Sequence, residues 1–154
     1  MTPNEYVWLF NNGLTKVQEE LLAYDDENEL WVVEKNIKNS AGHLAQHLVG
    51  NLKTFVGKYM GGIPYHRERD REFSERQFDR NTLLRLIDET KEAIRQSLTD
   101  KEESFLSEPF PGEAVVVKPG QTNGFMLTHL YAHLNYHLGQ MNYHRRLLQA
   151  DRQD

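Results

Sequence analysis

The run from Phe125 to Leu148, FMLTHLYAHLNYHLGQMNYHRRLL, constrains this chain more than any other stretch. It holds no proline, and its apolar residues recur at three- and four-residue steps, which predicts one long helix burying a stripe against other helices. Set into that pattern are His129, His133, His137 and His144, four of the chain's seven histidines. A four-residue step turns a helix by about 400°, so His133 and His137 lie one turn apart on nearly one face. Two imidazoles held that way can bind a single metal ion.

Such a helix needs neighbours, and the chain supplies three. Phe10, Leu14, Val17 and Leu21 mark a first amphipathic helix from Asn4 to about Tyr24, followed by an acidic connection ending near Lys38. Asn39 or Ser40 can cap a second helix carrying Leu44, Leu48, Leu52, Phe55 and Tyr59, which Gly61-Gly62 should end. The segment GIPYHRERDREFSERQFD lacks apolar periodicity and is read as an ordered loop. Asp79 or Asn81 can cap a third helix striped by Leu83, Ile87, Thr90, Ile94 and Leu98. Pro109, Pro111, Gly112, Pro119 and Gly120 exclude helix from the next connection, where the strand-like AVVV is assigned no sheet. Thr122 or Asn123 then caps the fourth helix. The expectation is a single all-α domain over residues 1–154, a four-helix bundle with two longer connecting loops.

Composition narrows the function. With no cysteine there is no disulfide, no zinc-thiolate site and no thiol nucleophile, so any thiol chemistry must use a thiol brought by a cofactor or substrate. Net charge is −5 and the basic residues are interspersed with acidic ones, which disfavours nucleic acid as a partner. No apolar run reaches bilayer length and MTPNEYVWLF is not a signal peptide, so no membrane partner and a cytoplasmic location are expected. Apolar helix stripes are compatible with a homodimer.

An isolated histidine on an apolar helix face is ordinarily a hydrogen-bonded core or boundary residue. Here several gather without carboxylate partners on the stripe, and a metal satisfies them together in neutral form. His47 sits in the apolar register of the second helix, and His43 stands four residues before it. Spacing favours the pair His133/His137 over His129/His133 without excluding the latter. His144, seven residues beyond His137, is too far along the axis for the same ion and reads with Arg145 and Arg146 as a cation near a helix C-terminus. His66, in the charged loop, is expected to be exposed.

AQHLVGNL, the loop GIPYHRERDREF and HLYAHLNYHLGQMNYHRRLL together resemble the DinB-like superfamily of metal-binding four-helix bundles, whose relatives include bacillithiol- and mycothiol-dependent S-transferases. The resemblance spans essentially the whole chain. It implies one metal ligand from the second helix and a His-x-x-x-His pair from the fourth, hence His47, His133 and His137.

Three neutral imidazoles leave a divalent ion with its charge uncompensated and a position open, the pattern of catalytic sites. Nickel or zinc leads, with iron, cobalt or manganese also suited to nitrogen ligands. The first expectation is an S-transferase in which a low-molecular-weight thiol binds as thiolate and attacks an electrophilic small molecule. The second is a hydrolase using a metal-bound hydroxide, which needs a base that Asp70 or Glu72 would have to supply from the loop. The third is a metal- or ligand-binding bundle without turnover. Asn51, Tyr136, Gln140 and His129 are candidates for supporting the ligands or binding substrate, and Arg67 or Arg69 for holding an anionic substrate group.

Overall fold

The computed structural model describes residues 1–34, 36–114 and 118–151, so most of the AVVV run lies outside the described residues. Each of the four long α-helices starts where a side chain satisfies one of its first free N–H groups. Helix α1 (Pro3–Leu22) opens with a capping box: Thr2 Oγ1 accepts from the Glu5 N–H at 3.2 Å while the Glu5 carboxylate accepts from the Thr2 N–H at 2.6 Å. Helix α2 (Ala41–Leu52) is capped by Ser40, not Asn39, with Oγ accepting from the His43 N–H at 3.2 Å. Helix α3 (Arg69–Ser74) is short. Helix α4 (Arg80–Leu98) is capped by Asp79, and Thr122 caps α5 (Asn123–Asp151), its Oγ1 accepting from the Phe125 N–H at 3.1 Å.

Among the described residues the chain is all-α, with no named strand and five α-helices rather than four. The four long ones surround a common core: α1 packs against both α4 and α5, and α2 packs against the same two. Phe10, Leu14, Val17 and Leu21 of α1 meet Leu44, Leu48 and Leu52 of α2, Leu83, Ile87 and Ile94 of α4, and Leu130, Leu134 and Met141 of α5 in one cluster. Each fully buried Leu or Ile contributes about 1.5–3 kcal/mol of transfer free energy.

Three local features depart from the sequence reading. The acidic connection after α1 contains a 3₁₀ helix, Glu27–Trp31, capped by Asp26. The second helix does not run as α-helix to the glycines: at Leu52 it passes into a π-helical segment, Lys53–Lys58. There the Tyr59 N–H bonds the Thr54 carbonyl at 3.1 Å and the Gly61 N–H the Val56 carbonyl at 3.0 Å, five residues back rather than four. Gly62, at φ +66°, then turns the chain in a conformation that side chains disfavour. Finally, the charged segment is not all loop, because Arg69–Ser74 forms α3 and docks on α2. Gln46 of α2 holds it from beneath, its amide N–H groups bonding the carbonyls of Glu72 and Glu75, each at 2.9 Å.

Candidate metal centre

The packing of α2 against α5 brings His47 to His133 and His137, three residues whose possible ligand atoms all lie within 4.8 Å of one another. His133 Nε2 stands 3.1 Å from His47 Nε2 and 3.0 Å from His137 Nε2. Neighbouring nitrogens on one ion, at bonds of about 2.0–2.1 Å and angles from a right angle to tetrahedral, are about 2.9–3.4 Å apart. The two separations fall in that range. The three rings also cross steeply, at 71°, 89° and 86°, so they approach from distinct directions.

The outer nitrogens decide which atoms face inward. His47 Nδ1 lies 3.1 Å from Glu72 Oε1, and since a carboxylate accepts, Nδ1 carries the proton and the Nε2 lone pair points to the centre. Arg67 Nη2 is 3.3 Å from the same nitrogen, but its protons go to Glu72, which it grips with Nε on Oε2 and Nη2 on Oε1, both at 2.9 Å. His137 Nδ1 donates to Gln140 Oε1 at 2.7 Å, which leaves its Nε2 unprotonated as well. His133 Nδ1 is buried and has no hydrogen-bond partner among the described residues. With lone pairs from two rings fixed on His133 Nε2, the cluster has the donor set of a metal site, and these residues fit a divalent ion.

Electrostatics agree. Burial, followed by the imidazoles of His137, His47 and His129 and by Arg67, pushes His133 down to about 3. Burial also lowers His137, against the opposing pull of its bond to Gln140. Both are neutral near pH 7, as metal ligands must be.

Glu72 is the residue whose part the sequence reading missed. It enters from α3 to a position only 4% exposed, behind His47 and away from its inward nitrogen. Both oxygens are occupied, so it orients His47 and is not placed as a base for an attacking water. The space it needs exists because residue 50 is glycine: a Cβ there would lie 1.8 Å from Glu72 Oε2. An interior helix glycine costs about 1 kcal/mol against alanine and marks a close approach, and Gly50 was the one signal in the sequence.

A cleft of about 300 Å³ opens beside His47 and His133, lined by Asn51, Phe55, Arg67, Arg69, Met126, His129 and Leu130. Of the sequence candidates, Asn51, Arg67, Arg69 and His129 therefore do gather at the centre. His129 lies at its mouth, its ring 6.4 Å from that of His133, so the pair facing His47 is His133/His137. Gln140 supports His137, whereas Tyr136 is 66% exposed and touches only the edge of that ring. Asp70 and His66 are exposed. His43 bonds Ser40 and edges Trp31, apart from the centre. His144 is not a solvent-facing cation: it is buried, its Nε2–H donating to the Val32 carbonyl at 2.8 Å and its Nδ1 accepting from the Tyr24 hydroxyl at 2.5 Å.

Fold and site together define an all-α protein, among the described residues, with a three-histidine centre, His47 buried and His133 and His137 partly so, that could hold a metal ion. The chain belongs to the family described as "Protein of unknown function (DUF1572)", whose profile matches residues 10–153. No curated protein and no solved structure matches it.

Proposed function

We propose that this is a metal-dependent transferase of DinB-like four-helix type, in which His47, His133 and His137 hold a divalent ion, nickel or zinc first. A bound ion of that kind would lower the pKa of a low-molecular-weight thiol entering its open position. The chain's own residues do the rest. Glu72, gripped by Arg67, keeps the His47 proton on Nδ1; Gln140 does the same for His137; the cleft admits a small electrophile beside the centre. In the transfer, sulfur forms a bond to the electrophilic carbon, the leaving group departs with its electron pair, and the thiol proton passes to solvent.

The observation that carries this reading is the chemistry of the cleft, which contains no carboxylate among its lining residues. Hydrolysis needs a base near the attacking water. Glu72 is turned to the far side of His47, and Asp70 is exposed. A thiol is far more acidic than water before any metal acts on it, so a bound ion would ionise it at neutral pH with less help from such a base. A second reading, hydrolysis, is favoured only by His129 at the mouth; a third, binding without turnover, shares the same centre.

Metal analysis of protein purified without an affinity tag tests the foundation, since His137→Ala must lose the metal that the wild type retains. Chlorodinitrobenzene with a panel of small thiols then tests transfer. Metal-dependent turnover that needs no thiol would pass the lead to hydrolysis, and a loaded protein inert in both assays would favour the binding reading.

A further inference from the structure

We propose that the cleft beside the histidine centre is built for a small anion that also carries a hydrogen-bond donor. A carboxylate or phosphate group would meet Arg69 and the outer edge of Arg67, and an N–H or O–H group would complete Asn51. This deepens the reading above and rests on it only for where an ion would sit.

Three observations carry it. First, Asn51 stands one turn beyond His47 on α2, is 7% exposed, and its amide oxygen is buried with no hydrogen-bond partner among the described residues. Buried polar groups are nearly always paired, so an unpaired amide oxygen on a residue that lines the cleft is the group a ligand donor would complete. Second, the arginines of the charged segment are not alike. Arg71 is paired with Glu68 and Glu75, and Arg67 with Glu72 through Nε and Nη2, so only the Nη1 edge of Arg67 remains for a ligand. Arg69 has no ion pair among the described residues; its guanidinium rests 5.8 Å over Phe73, whose ring in turn lies 4.6 Å from that of His47. An exposed, unpaired cation is thus stacked on the ring that packs against a candidate ligand, and it lines the same cleft.

Third, nothing in that cleft opposes negative charge. Its polar lining is Asn51, Arg67, Arg69 and the histidines, while Phe55, Met126 and Leu130 offer apolar walls to a short carbon skeleton. At about 300 Å³ the space is at the small end of ligand pockets.

Calorimetric titration of succinate, its hydroxy derivative malate, the neutral diamide of succinate and inorganic phosphate tests this, with the full chain both metal-free and nickel-loaded. Malate, whose hydroxyl supplies the donor that succinate lacks, should bind more tightly than succinate to the wild type and lose that advantage in Asn51→Ala; no difference between the two in the wild type overturns the donor half of the proposal. Succinate should bind about tenfold more tightly than the diamide, and Arg69→Gln should cost about fivefold of the succinate affinity, as loss of a partly exposed ion pair would. Asn51→Asp, nearly the same shape, puts a negative charge in the cleft and should weaken succinate more than Asn51→Ala does. Phosphate binding more tightly than succinate assigns a phosphoryl ligand, and the reverse a carboxylate. Equal affinity for succinate and diamide, or succinate binding indifferent to both Arg69→Gln and Asn51→Asp, overturns the proposal. Metal uptake is read separately. Protein that takes up no nickel yet prefers succinate through Arg69 keeps this inference and removes the metal reading.

Discussion

At the scale of single residues, Glu72 has the largest leverage, since one carboxylate serves Arg67 and His47 together in a nearly dry place. Removing a partner from such a buried group costs more than the group contributed intact, about 3–5 kcal/mol. Glu72→Gln keeps the shape but takes away the charge that fixes the His47 proton. It should weaken metal binding about 10–100-fold, measured by competition with a chelator of known affinity. An unchanged affinity would show that His47 needs no orienting anion. His133 sets a second expectation, for the metal-free protein. Its folded-state pKa of about 3 lies below the ordinary 6.5. Below pH 6.5 the unfolded chain takes up a proton that the folded chain refuses, so stability falls as pH drops from 6.5 toward 3. Above 6.5 neither state binds it and the term vanishes. Denaturant midpoints should therefore be lower at about pH 5 than at about pH 7.5, and equal midpoints would contradict the burial of this ring.

At the scale of elements, what was legible followed from local chemistry. The stripe Phe10, Leu14, Val17, Leu21 and the caps at Ser40 and Asp79 are written within a few neighbouring residues, and the structure keeps them. The π-helical segment was not legible, because KTFVGK continues the helical pattern and only packing on α4 decides between four- and five-residue hydrogen bonds. Helix α3 was hidden for a different reason. RDREFS has almost no apolar stripe, and its stability comes from Glu72 inserted toward α2 and from Gln46 beneath it. Likewise spacing alone left His129/His133 and His133/His137 open, since both have the same step, and the partner helix made the choice. The dependence of α3 on Gln46 is testable. Gln46→Ala removes bonds to the Glu72 and Glu75 carbonyls and the acceptor of the Gln77 N–H, so trypsin should cut the Arg67–Arg76 segment several-fold faster than in wild type. Unchanged cleavage would mean that α3 is held by something else.

At the scale of the whole molecule, the centre joins residues 86 apart in sequence and bridges two helices that share no hydrogen-bonded ladder. A ligand that binds only this folded arrangement stabilises it, by about 2.7 kcal/mol at a free concentration 100 times Kd. Adding nickel or zinc should raise the unfolding temperature by several degrees, and His137→Ala should fold but lose the metal-dependent increment. A variant that keeps the increment would place the metal elsewhere.

The buried contact of His144 with Tyr24 and the Val32 carbonyl gains a meaning from the histidine ladder on the same helix. His129, His133 and His137 repeat every four residues, so sliding α5 by one turn, about 5–6 Å, would offer His47 a pair of the same spacing, though without the bond that Gln140 makes to His137. The metal cannot tell these registers apart, because imidazole is imidazole. His144 can, since it has one carbonyl and one hydroxyl to meet and no copy four residues earlier, where Gln140 stands. Together with the buried Leu130, Leu134 and Met141 of the same helix, it serves as an index mark on an otherwise repeating scale. His144→Leu should therefore split a single cobalt absorption spectrum into two overlapping species, and substituting His129 as well should restore one.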